Sequence, residues 1–294
     1  MEAWERAMRR PHVAEAAPFG AFAPPGPLSA LRAMALALGP SPVGRALRSA
    51  AFRLAGGKSA RVFDVSAFGG QRVRLHPADN IAEKRVFRDE PRRERDERQA
   101  IAAEARSGEG PFCFLDVGAN PGLYTLAARD AARTTGRPFR AALVEPQAAM
   151  PARLRFNLAA SSCGADEARV FAFAATARRG PVRLERQSGN LGATRVSEVG
   201  EGEAVEGLPL AEIVAAWAPG GIDVMEIDIE GLEGAALAPF FATEPRWLWP
   251  RTIVIEINDG PESSVGVQVC REAGYSVVST TSMNAIMRMI PASS

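Results

Sequence analysis

From residue 111 onward, short apolar runs alternate with helix-like stretches, and this alternation restricts the fold more than any other feature of the sequence. The apolar runs occupy residues 112–117, 141–144, 168–174, 222–227 and 252–257. Alternation of this kind favours a parallel β-sheet covered by helices. A final apolar pair, residues 275–279 and 285–290, is separated by a short polar segment and predicts a closing antiparallel hairpin. We therefore expect an α/β fold in which residues 111–290 form one mostly parallel sheet.

The length and charge of the chain exclude several classes of protein. Its 294 residues suffice for one large α/β domain with an appendage, or for two small domains. The formal net charge is +1, so no general attraction to nucleic acid or to an anionic membrane is indicated. The two histidines, His12 and His76, precede the alternating region, which excludes a Ser–His–Asp hydrolase built wholly within it.

The cysteines and the apolar segments bear on the cellular environment. Cys113, Cys163 and Cys270 lie far apart without a CxxC pair, which argues against a zinc site or a disulfide framework. The apolar stretch at residues 31–38 contains Arg32 and is too short to span a bilayer. The chain does not open with a charged segment followed by an apolar one. We expect a cytoplasmic protein that neither inserts stably into a membrane nor binds nucleic acid.

Residues 1–57 are expected to form a loose, helical appendage at the periphery of the protein. The region is rich in Ala, Arg and Pro, and its prolines interrupt any early helix. Two short helices are predicted on either side of residues 39–42, which read Gly-Pro-Ser-Pro. Arg45, Arg48 and Arg53 fit either a basic helix on a membrane surface or a solvated helix face, and we favour the second.

Residues 58–110 are predicted to form a β-hairpin and a charged helix that lead into the main domain, residues 111–294. A Gly-Gly pair between two alternating segments is typical of a hairpin turn. Asn80 is expected to cap the helix that follows, with Glu83 three residues later. Residues 84–98 carry both charge signs, and we interpret them as a solvated helix with ion pairs rather than as a nucleic-acid-binding stripe.

The most informative segment runs from residue 112 to residue 126, where a predicted strand enters a tight glycine turn and a helix starts near Pro121. Proline suits the first helical turn, and Gly118 and Gly122 would let a ligand approach the backbone. Such turns lie at the carboxyl ends of strands, where open α/β sheets bind ligands. The GxxxG spacing lacks the second glycine of the GxGxxG dinucleotide fingerprint, which disfavours a nicotinamide oxidoreductase.

The carboxylates around this turn indicate the charge of the ligand. Asp116 lies two residues before the turn, where it would repel phosphates and attract a cation. S-adenosylmethionine carries an ammonium and a sulfonium group and no phosphate, so it is the predicted cofactor. Glu145 ends the next predicted strand, where it can accept hydrogen bonds from both ribose hydroxyls. A surface acid beside a proline is the alternative reading of Glu145.

Five ordered segments resemble the FkbM-type methyltransferases. They are residues 116–126 (DVGANPGLYTL), residues 144–146 (VEP) followed by Asn157, residues 189–194 (GNLGAT), residues 222–233 (IDVMEIDIEGLE) and residues 253–257 (IVIEI). The resemblance covers about residues 75–290 and implies a class I, Rossmann-like fold with a seven-stranded sheet that binds S-adenosylmethionine. It also implies O-methylation of a hydroxyl on a small molecule or sugar. The residues assigned to the cofactor are Asp116, Gly118, Asn120, Gly122, Tyr124 and Glu145.

One position departs from the family pattern. The family commonly has Lys-Ile-Asp-Val-Glu-Gly at the fourth strand, whereas this chain has Glu226 in place of the lysine, with Asp228 and Glu230 in register. If the family's lysine contacts the substrate, the acceptor of this chain differs. If that lysine is structural, nothing follows for the acceptor.

The chemistry of methyl transfer indicates acids at the ends of the fourth and fifth predicted strands. The protein must orient the acceptor hydroxyl and help to remove its proton. Asp228 is the first candidate for the base, and capping of the next helix is its alternative role. Glu256 is the second catalytic candidate, with a buried ion pair as its alternative. Glu230 is assigned to the substrate.

Further candidates surround these acids. Asn190 lies in a glycine-rich segment and is assigned to the substrate site, with a turn asparagine as the alternative. Tyr124 could touch the methionine end of the cofactor or pack against the sheet. Asp228, Asn258 and Asp259 carry oxygen ligands suited to Mg²⁺, but their loose spacing disfavours a metal and none is predicted. The alternative function is a non-catalytic binding module on a degenerate methyltransferase fold.

Overall fold

The computed structural model describes residues 14–39, 41–56, 61–147, 150–186, 194–197, 202–257 and 260–290. The strands are β1 (Phe63–Ala67), β2 (Gln71–Leu75), β3 (Phe112–Val117), β4 (Phe139–Val144), β5 (Ala168–Phe171), β6 (Ala174–Ala175), β7 (Gly180–Arg186), β8 (Thr194–Ser197), β9 (Glu203–Leu208), β10 (Val224–Ile227), β11 (Thr252–Glu256), β12 (Tyr275–Thr280) and β13 (Asn284–Met289). The helices are α1 (Gly26–Ala37), α2 (Pro42–Leu54), α3 (Ile81–Asp89), α4 (Arg95–Ser107), α5 (Leu123–Thr135), α6 (Met150–Ala160), α7 (Leu210–Trp217), α8 (Glu233–Thr243) and α9 (Val265–Glu272). Among the helices of these residues, none has the length and apolar character needed to cross a bilayer.

The main sheet has seven strands in the order β12–β13–β11–β10–β3–β4–β5. Strands β3, β4, β5, β10 and β11 run parallel, and β13 runs antiparallel to both β11 and β12. The predicted mostly parallel sheet with an antiparallel closing hairpin is therefore confirmed. All residues of β3 and β10 are buried, as expected for central strands that helices cover on both faces.

Strand β3 is the point at which the strand order reverses, because β4 and β10 lie on opposite sides of it. The chain leaves such neighbouring strands in opposite directions, which opens a crevice outside their carboxyl ends. Asp116 of β3 pairs with Glu226 of β10 in the register of these two strands. Two acids therefore lie next to each other at the base of this crevice.

A second sheet corrects the expectation of a single sheet over residues 111–290. Strands β6, β9, β7 and β8 form a four-stranded sheet in that order. The single strand predicted at residues 168–174 divides into β5 and the short β6, which belong to different sheets. The first residues of β9 alternate between partly buried and exposed. A strand with one exposed face carries charged residues, so it is not found by a search for apolar runs.

The N-terminal region contains the helices α1 and α2, in agreement with its predicted helical character. Strands β1 and β2 pair antiparallel where the hairpin is expected. The Asp64 side chain joins this hairpin to the chain before α1, because its Oδ2 accepts hydrogen bonds from the amides of Gly20 and Phe22 at 2.7 and 3.1 Å. Its Oδ1 lies 2.7 Å from Nε of the buried Arg74. The boundaries of the three predicted regions stay predictions.

Helix α6 and the residue after it close the outer edge of β2. The Arg72 amide donates to Ser161 Oγ at 2.9 Å, and this hydroxyl donates to the Arg72 carbonyl at 2.9 Å. The Arg74 amide donates to Asn157 Oδ1 at 2.7 Å, while Asn157 Nδ2 donates to the carbonyl of Pro121 at 3.0 Å. The buried amide of Asn157 thus joins the hairpin to the glycine turn that follows β3.

The charged segment at residues 84–98 is not the single solvated helix that its pattern predicts. Asn80 caps α3, as expected, but α3 and α4 are separated by a 3₁₀ turn, and Glu94 adopts the left-handed region with φ 48°. Glu97 is buried, and its Oε1 accepts a hydrogen bond from Asn284 Nδ2 at 2.9 Å. Tertiary partners that the local pattern does not reveal therefore decide which of these charges are buried.

Candidate active site

The turn after β3 is held in shape by contacts within the protein. Gly118 and Gly122 have φ values of +92° and +81°, in the left-handed region that favours glycine. A Cβ on Gly118 would lie 2.0 Å from the carbonyl oxygen of Asp228, and one on Gly122 would lie 2.5 Å from Leu154 Cδ1. Gly118 is thus required by a backbone contact that places the turn against the end of β10, whereas Gly122 is required chiefly by its left-handed φ, because the Leu154 methyl group can shift. Their role toward a cofactor stays a prediction.

Asp116 is buried beneath this turn, with 1% of its surface exposed. Its Oδ2 accepts a hydrogen bond from the Thr125 amide at 3.1 Å and a second from the Thr125 hydroxyl. Its Oδ1 is buried and has no hydrogen-bond partner among the described residues. Burial raises the pKa of Asp116 to about 6. One carboxylate oxygen thus fixes the start of α5, and the carboxyl group of Glu226 is a further hydrogen-bond partner of the Asp116 side chain.

Glu145 directly follows β4 and is oriented by backbone amides. Its Oε2 accepts a hydrogen bond from the Asn120 amide at 2.9 Å, and its Oε1 accepts one from the Gln147 amide at 3.0 Å. The side chain is buried, and burial raises its pKa to about 7. The structure therefore brings together two of the predicted cofactor residues, Asn120 and Glu145, across neighbouring strand ends.

Tyr124 lies in the first turn of α5. It is on that side of the crevice which β13 and the segment before α4 form. Its hydroxyl lies 3.5 Å from Asn284 Nδ2, and its ring centroid lies 5.6 Å from the guanidinium carbon of Arg93. Burial, followed by the neighbouring carboxylate of Glu94, raises the pKa of Tyr124 well above its usual range. The phenol therefore stays protonated and is a hydrogen-bond donor within the crevice.

The acids at the ends of β10 and β11 form a separate cluster. Asp228, Glu230 and Glu256 each place a carboxylate oxygen within 4.8 Å of the others. The carboxyl groups of Asp228 and Glu256 are hydrogen-bonded to each other. Burial, followed by the Glu256 carboxylate, raises the pKa of Asp228 well above its usual range, and burial raises the pKa of Glu256 to about 7. The two groups therefore hold a proton between them near neutral pH.

The loop after β10 shows that Asp228 does not cap the next helix. Helix α8 begins at Glu233, and no side chain caps its N-terminus. Instead, Glu233 Oε1 accepts hydrogen bonds from the amides of Ile229 and Gly231 at 3.0 and 3.1 Å. The alternative role that the sequence left open for Asp228 is therefore wrong. The Asp228 side chain takes part in the carboxyl pair.

Three residues of the crevice are not identified by sequence reasoning. Glu94 and Asn284 lie beside Tyr124, and Glu97 hydrogen-bonds Asn284. Asn284 could have been found, because the first residue of an antiparallel strand lies at the same sheet edge as the carboxyl ends of its parallel neighbours. Glu94 and Glu97 give no such signal, since they lie in a segment crowded with both charges.

Glu226, the departure from the family pattern, lies inside the sheet with 2% of its surface exposed. It faces Asp116 across the register of β10 and β3. Burial, followed by the Asp116 carboxylate, raises the pKa of Glu226 well above its usual range. A neutral Glu226 carboxyl therefore occupies the position where the family has a lysine, and its place beneath the crevice is compatible with a structural role.

Some predicted residues lie outside the described part of the chain, namely Asn190, Asn258 and Asp259. Among the described residues, the group of acids suited to a cation is Asp228, Glu230 and Glu256. A bound cation itself lowers the pKa values of its ligands, so the raised pKa values of Asp228 and Glu256 do not decide whether this cluster binds a metal. The expectation that no metal is bound stays a prediction.

Comparison with known proteins identifies a family from the sequence. The family model described as the methyltransferase FkbM domain matches residues 116–288, more than half of the chain. This span includes both the glycine turn after β3 and the carboxyl pair at the ends of β10 and β11. No curated protein matches the chain by sequence.

Solved structures give weaker similarities. A methyltransferase FkbM from Methylobacillus flagellatus is 14% identical with a TM-score of 0.39, over 72% of this chain and 61% of that one. The chain thus spans less than two thirds of that protein's length. A SAM-dependent methyltransferase from Agrobacterium tumefaciens is 10% identical with a TM-score of 0.44, over 79% of this chain and 70% of that one. The family assignment depends on the sequence match and not on these structures.

Proposed function

Because the chain belongs to the FkbM methyltransferase family, we propose that it transfers the methyl group of S-adenosylmethionine to a hydroxyl of a small molecule or sugar. The observation that carries this proposal is the arrangement of carboxyl groups at the ends of β3, β4, β10 and β11. Two of them, Asp116 and Glu145, are oriented by hydrogen bonds at the glycine turn. Two others, Asp228 and Glu256, share a proton at the opposite side of the strand reversal.

The residues at the glycine turn fit S-adenosylmethionine. Among the described residues, the buried Oδ1 of Asp116 has no hydrogen-bond partner, and it can accept a hydrogen bond from the ammonium group. Each oxygen of Glu145 accepts one backbone hydrogen bond and retains a lone pair for a ribose hydroxyl. Gly118, Asn120, Gly122 and Tyr124 complete the proposed cofactor site. The bound cofactor supplies the activated methyl group and the leaving group.

Glu256 is proposed as the base, with Asp228 as the group that positions it. A base is most effective when its pKa lies near the working pH, and the pKa of Glu256 is about 7. Asp228 keeps its proton to higher pH and donates a hydrogen bond to Glu256. Glu256 Oε2 is buried without a partner among the described residues and can accept the proton of an acceptor hydroxyl. Glu230 and Asn190 stay proposed substrate residues.

The proposal is tested by calorimetric titration of the full chain with S-adenosylmethionine, with its demethylated product and with NAD as a comparison. We expect saturable binding of both adenosyl compounds at one site and no binding of NAD, since the phosphates of NAD would meet the Asp116 carboxylate at the turn. Absence of adenosyl binding would contradict the proposed function and leave a non-catalytic binding module. Binding of NAD alone would favour an oxidoreductase.

A further inference from the structure

A second charged surface lies between α2 and α3, away from the strand ends. It is a cavity of about 590 Å³, which we call the arginine groove. Its described lining residues are Arg45, Arg48, Ser49, Ile81, Lys84, Arg85, Arg88, Asp89, Arg92 and Arg93. Among these residues, seven are cationic and one is a carboxylate, in a chain whose total net charge is only +1. The surplus of positive charge is therefore local.

Part of this charge serves the structure. Arg48 is buried, donates to the carbonyl of Ala35 at 3.1 Å and lies 3.2 Å from Asp89 Oδ2. Arg92 also approaches Asp89, at 3.8 Å. The one carboxylate among the described lining residues is therefore shared by two arginines, and it cannot neutralise the rest of the groove.

The remaining cations of α3 form no ion pair with a described carboxylate, although the charge of Arg85 acts on the nearby Glu94 carboxyl and opposes the rise in its pKa. Lys84, Arg85 and Arg88 form no ion pair with any described carboxylate. Two of them are held against an aromatic ring, since Lys84 Nζ and the Arg88 guanidinium lie 5.5 and 5.4 Å from the centroid of Phe52. A cation over an aromatic face is stabilised while its N–H donors stay available. These side chains are thus positioned to bind an anion.

Arg93 supplies an independent observation. Its side chain is 8% exposed, and its Nη2 lies 2.7 Å from Glu94 Oε1. Its Nε is buried and has no hydrogen-bond partner among the described residues. A buried donor without an acceptor is unfavourable and is rare in folded proteins. An oxyanion in the groove would supply the missing acceptor.

The arginine groove continues toward the carboxyl pair. A neighbouring cavity of about 310 Å³ shares Arg85 and Arg93 with the groove, and Glu94 and Asn284 line it as well. Asn284 lies opposite Glu256 in the register of β11 and β13. A molecule that extends from the groove through this cavity would therefore approach the proposed base.

We propose that the arginine groove binds a phosphate or pyrophosphate group of the methyl acceptor, an inference that rests on the proposed function. Guanidinium groups bind such oxyanions through paired, charge-assisted hydrogen bonds. The two charged regions would then separate the two substrates, because the acidic turn attracts the cationic cofactor and the groove attracts an anionic acceptor. An anionic membrane surface would contact exposed arginines only, whereas Arg93 is almost fully buried.

The test uses inorganic pyrophosphate as the probe, titrated calorimetrically into the full chain in the presence of saturating S-adenosylhomocysteine. We expect saturable binding that the Arg85→Glu/Arg88→Glu double variant weakens by about tenfold or more. Arg155→Glu on α6 is the matched control, because Arg155 is an exposed helical arginine outside the groove. The affinity of the Arg155→Glu variant for pyrophosphate should match that of the unmodified chain.

Three results would overturn the proposal. The first is the absence of pyrophosphate binding, and the second is an equal loss in the Arg155→Glu control, which would indicate unspecific charge attraction. The third is competition between pyrophosphate and S-adenosylhomocysteine, which would place the anion in the cofactor site. If pyrophosphate does not bind and the protein instead sediments with phosphatidylglycerol vesicles, the groove binds an anionic membrane surface. Titration with S-adenosylmethionine alone reports on the proposed function separately.

Discussion

The two halves of the strand-end crevice use the same kind of residue in opposite ways. At the ends of β3 and β4, carboxylate oxygens of Asp116 and Glu145 accept hydrogen bonds from backbone amides. At the ends of β10 and β11, the carboxyl groups of Asp228 and Glu256 bind each other. An acid that backbone donors orient can hold a ligand, whereas an acid whose partner is another acid can take up and release a proton.

The difference arises from where the backbone amides are directed. The tight turn after β3 directs the amide of Asn120 toward Glu145, and the start of α5 directs the amide of Thr125 toward Asp116. In the loop after β10, Glu233 accepts the hydrogen bonds of two amides. The loop conformations therefore decide which acids are held by backbone groups.

The largest effect is expected for Glu256→Gln, which removes the proposed base but keeps the size of the side chain. Turnover should fall by about 10²–10⁴-fold, the usual contribution of a general base, while the affinity for S-adenosylmethionine stays near normal. The measurement is transfer of a labelled methyl group to an acceptor found by screening, with calorimetry for the cofactor. Full turnover in this variant would show that Glu256 is not the base, and the two halves of the crevice would then not differ in the proposed way.

The next effect concerns the half of the crevice at the ends of β3 and β4, which we propose binds the cofactor. Glu145→Ala should weaken S-adenosylmethionine binding by about 1–3 kcal/mol, because ribose hydroxyls would lose a charged acceptor. Calorimetry measures this change directly. Glu272→Ala, at an exposed position at the end of α9, is the control and should bind as the unmodified chain does. Unchanged affinity in Glu145→Ala would remove Glu145 from the site.

A smaller effect is expected for Asp228→Asn, which separates the roles of the paired acids. An asparagine amide can still donate a hydrogen bond to Glu256, so turnover should fall by only about tenfold. The pH at which activity rises should stay nearly unchanged, because Asp228 is neutral when Glu256 ionises and the asparagine amide keeps the hydrogen bond that lowers the pKa of Glu256. A loss as large as that of Glu256→Gln would instead identify Asp228 as the base.

A separate effect concerns the free energy of unfolding and involves both halves of the crevice together. The pKa values of Asp116, Glu145 and Glu256 are raised to about 6, 7 and 7, so the folded protein keeps protons that the unfolded chain has released. The free energy of unfolding should therefore fall as the pH rises from about 5 to about 8. Urea unfolding at these two pH values measures the change, and a rise in stability over this interval would contradict it.

Glu226→Gln tests how much of this pH dependence arises at the base of the crevice. The substitution keeps a neutral side chain opposite Asp116 and removes one buried group with a raised pKa. The fall in stability between the two pH values should be smaller than in the unmodified chain. An unchanged slope would show that Glu226 is ionised in the folded protein over this whole range, as it is in the unfolded chain, and would contradict its raised pKa.

Much of the fold could be predicted from the sequence, because the buried strands of a parallel sheet form short apolar runs. The runs at residues 112–117 and 222–227 coincide with β3 and β10, and the Gly-Gly pair with the β1–β2 hairpin. The second sheet could not be predicted in this way, since its strands carry charged residues on an exposed face. The burial of Glu97 depends on Asn284, 187 residues away.

The candidate site shows the same limit. Strand ends locate Asp116, Glu145, Asp228 and Glu256 from the sequence alone, because parallel strands bring their carboxyl ends to one edge. Loop conformation decides whether an acid is hydrogen-bonded to backbone amides or to another acid. The sequence pattern does not determine this conformation. The sequence favours Asp228 as the base, whereas the hydrogen bond between the two carboxyl groups is the reason for proposing Glu256 instead, and both assignments stay predictions.

The closure of the β2 edge by α6 bears on self-association. An uncovered edge strand offers its amides and carbonyls to the strand of another copy, which is a common start of aggregation. Ser161 and Asn157 occupy these groups at Arg72 and Arg74, so they act as an intramolecular substitute for a further strand. Asn157 also supports the glycine turn after β3 through the carbonyl of Pro121. A single amide therefore links the protection of this strand edge to the integrity of the proposed cofactor site.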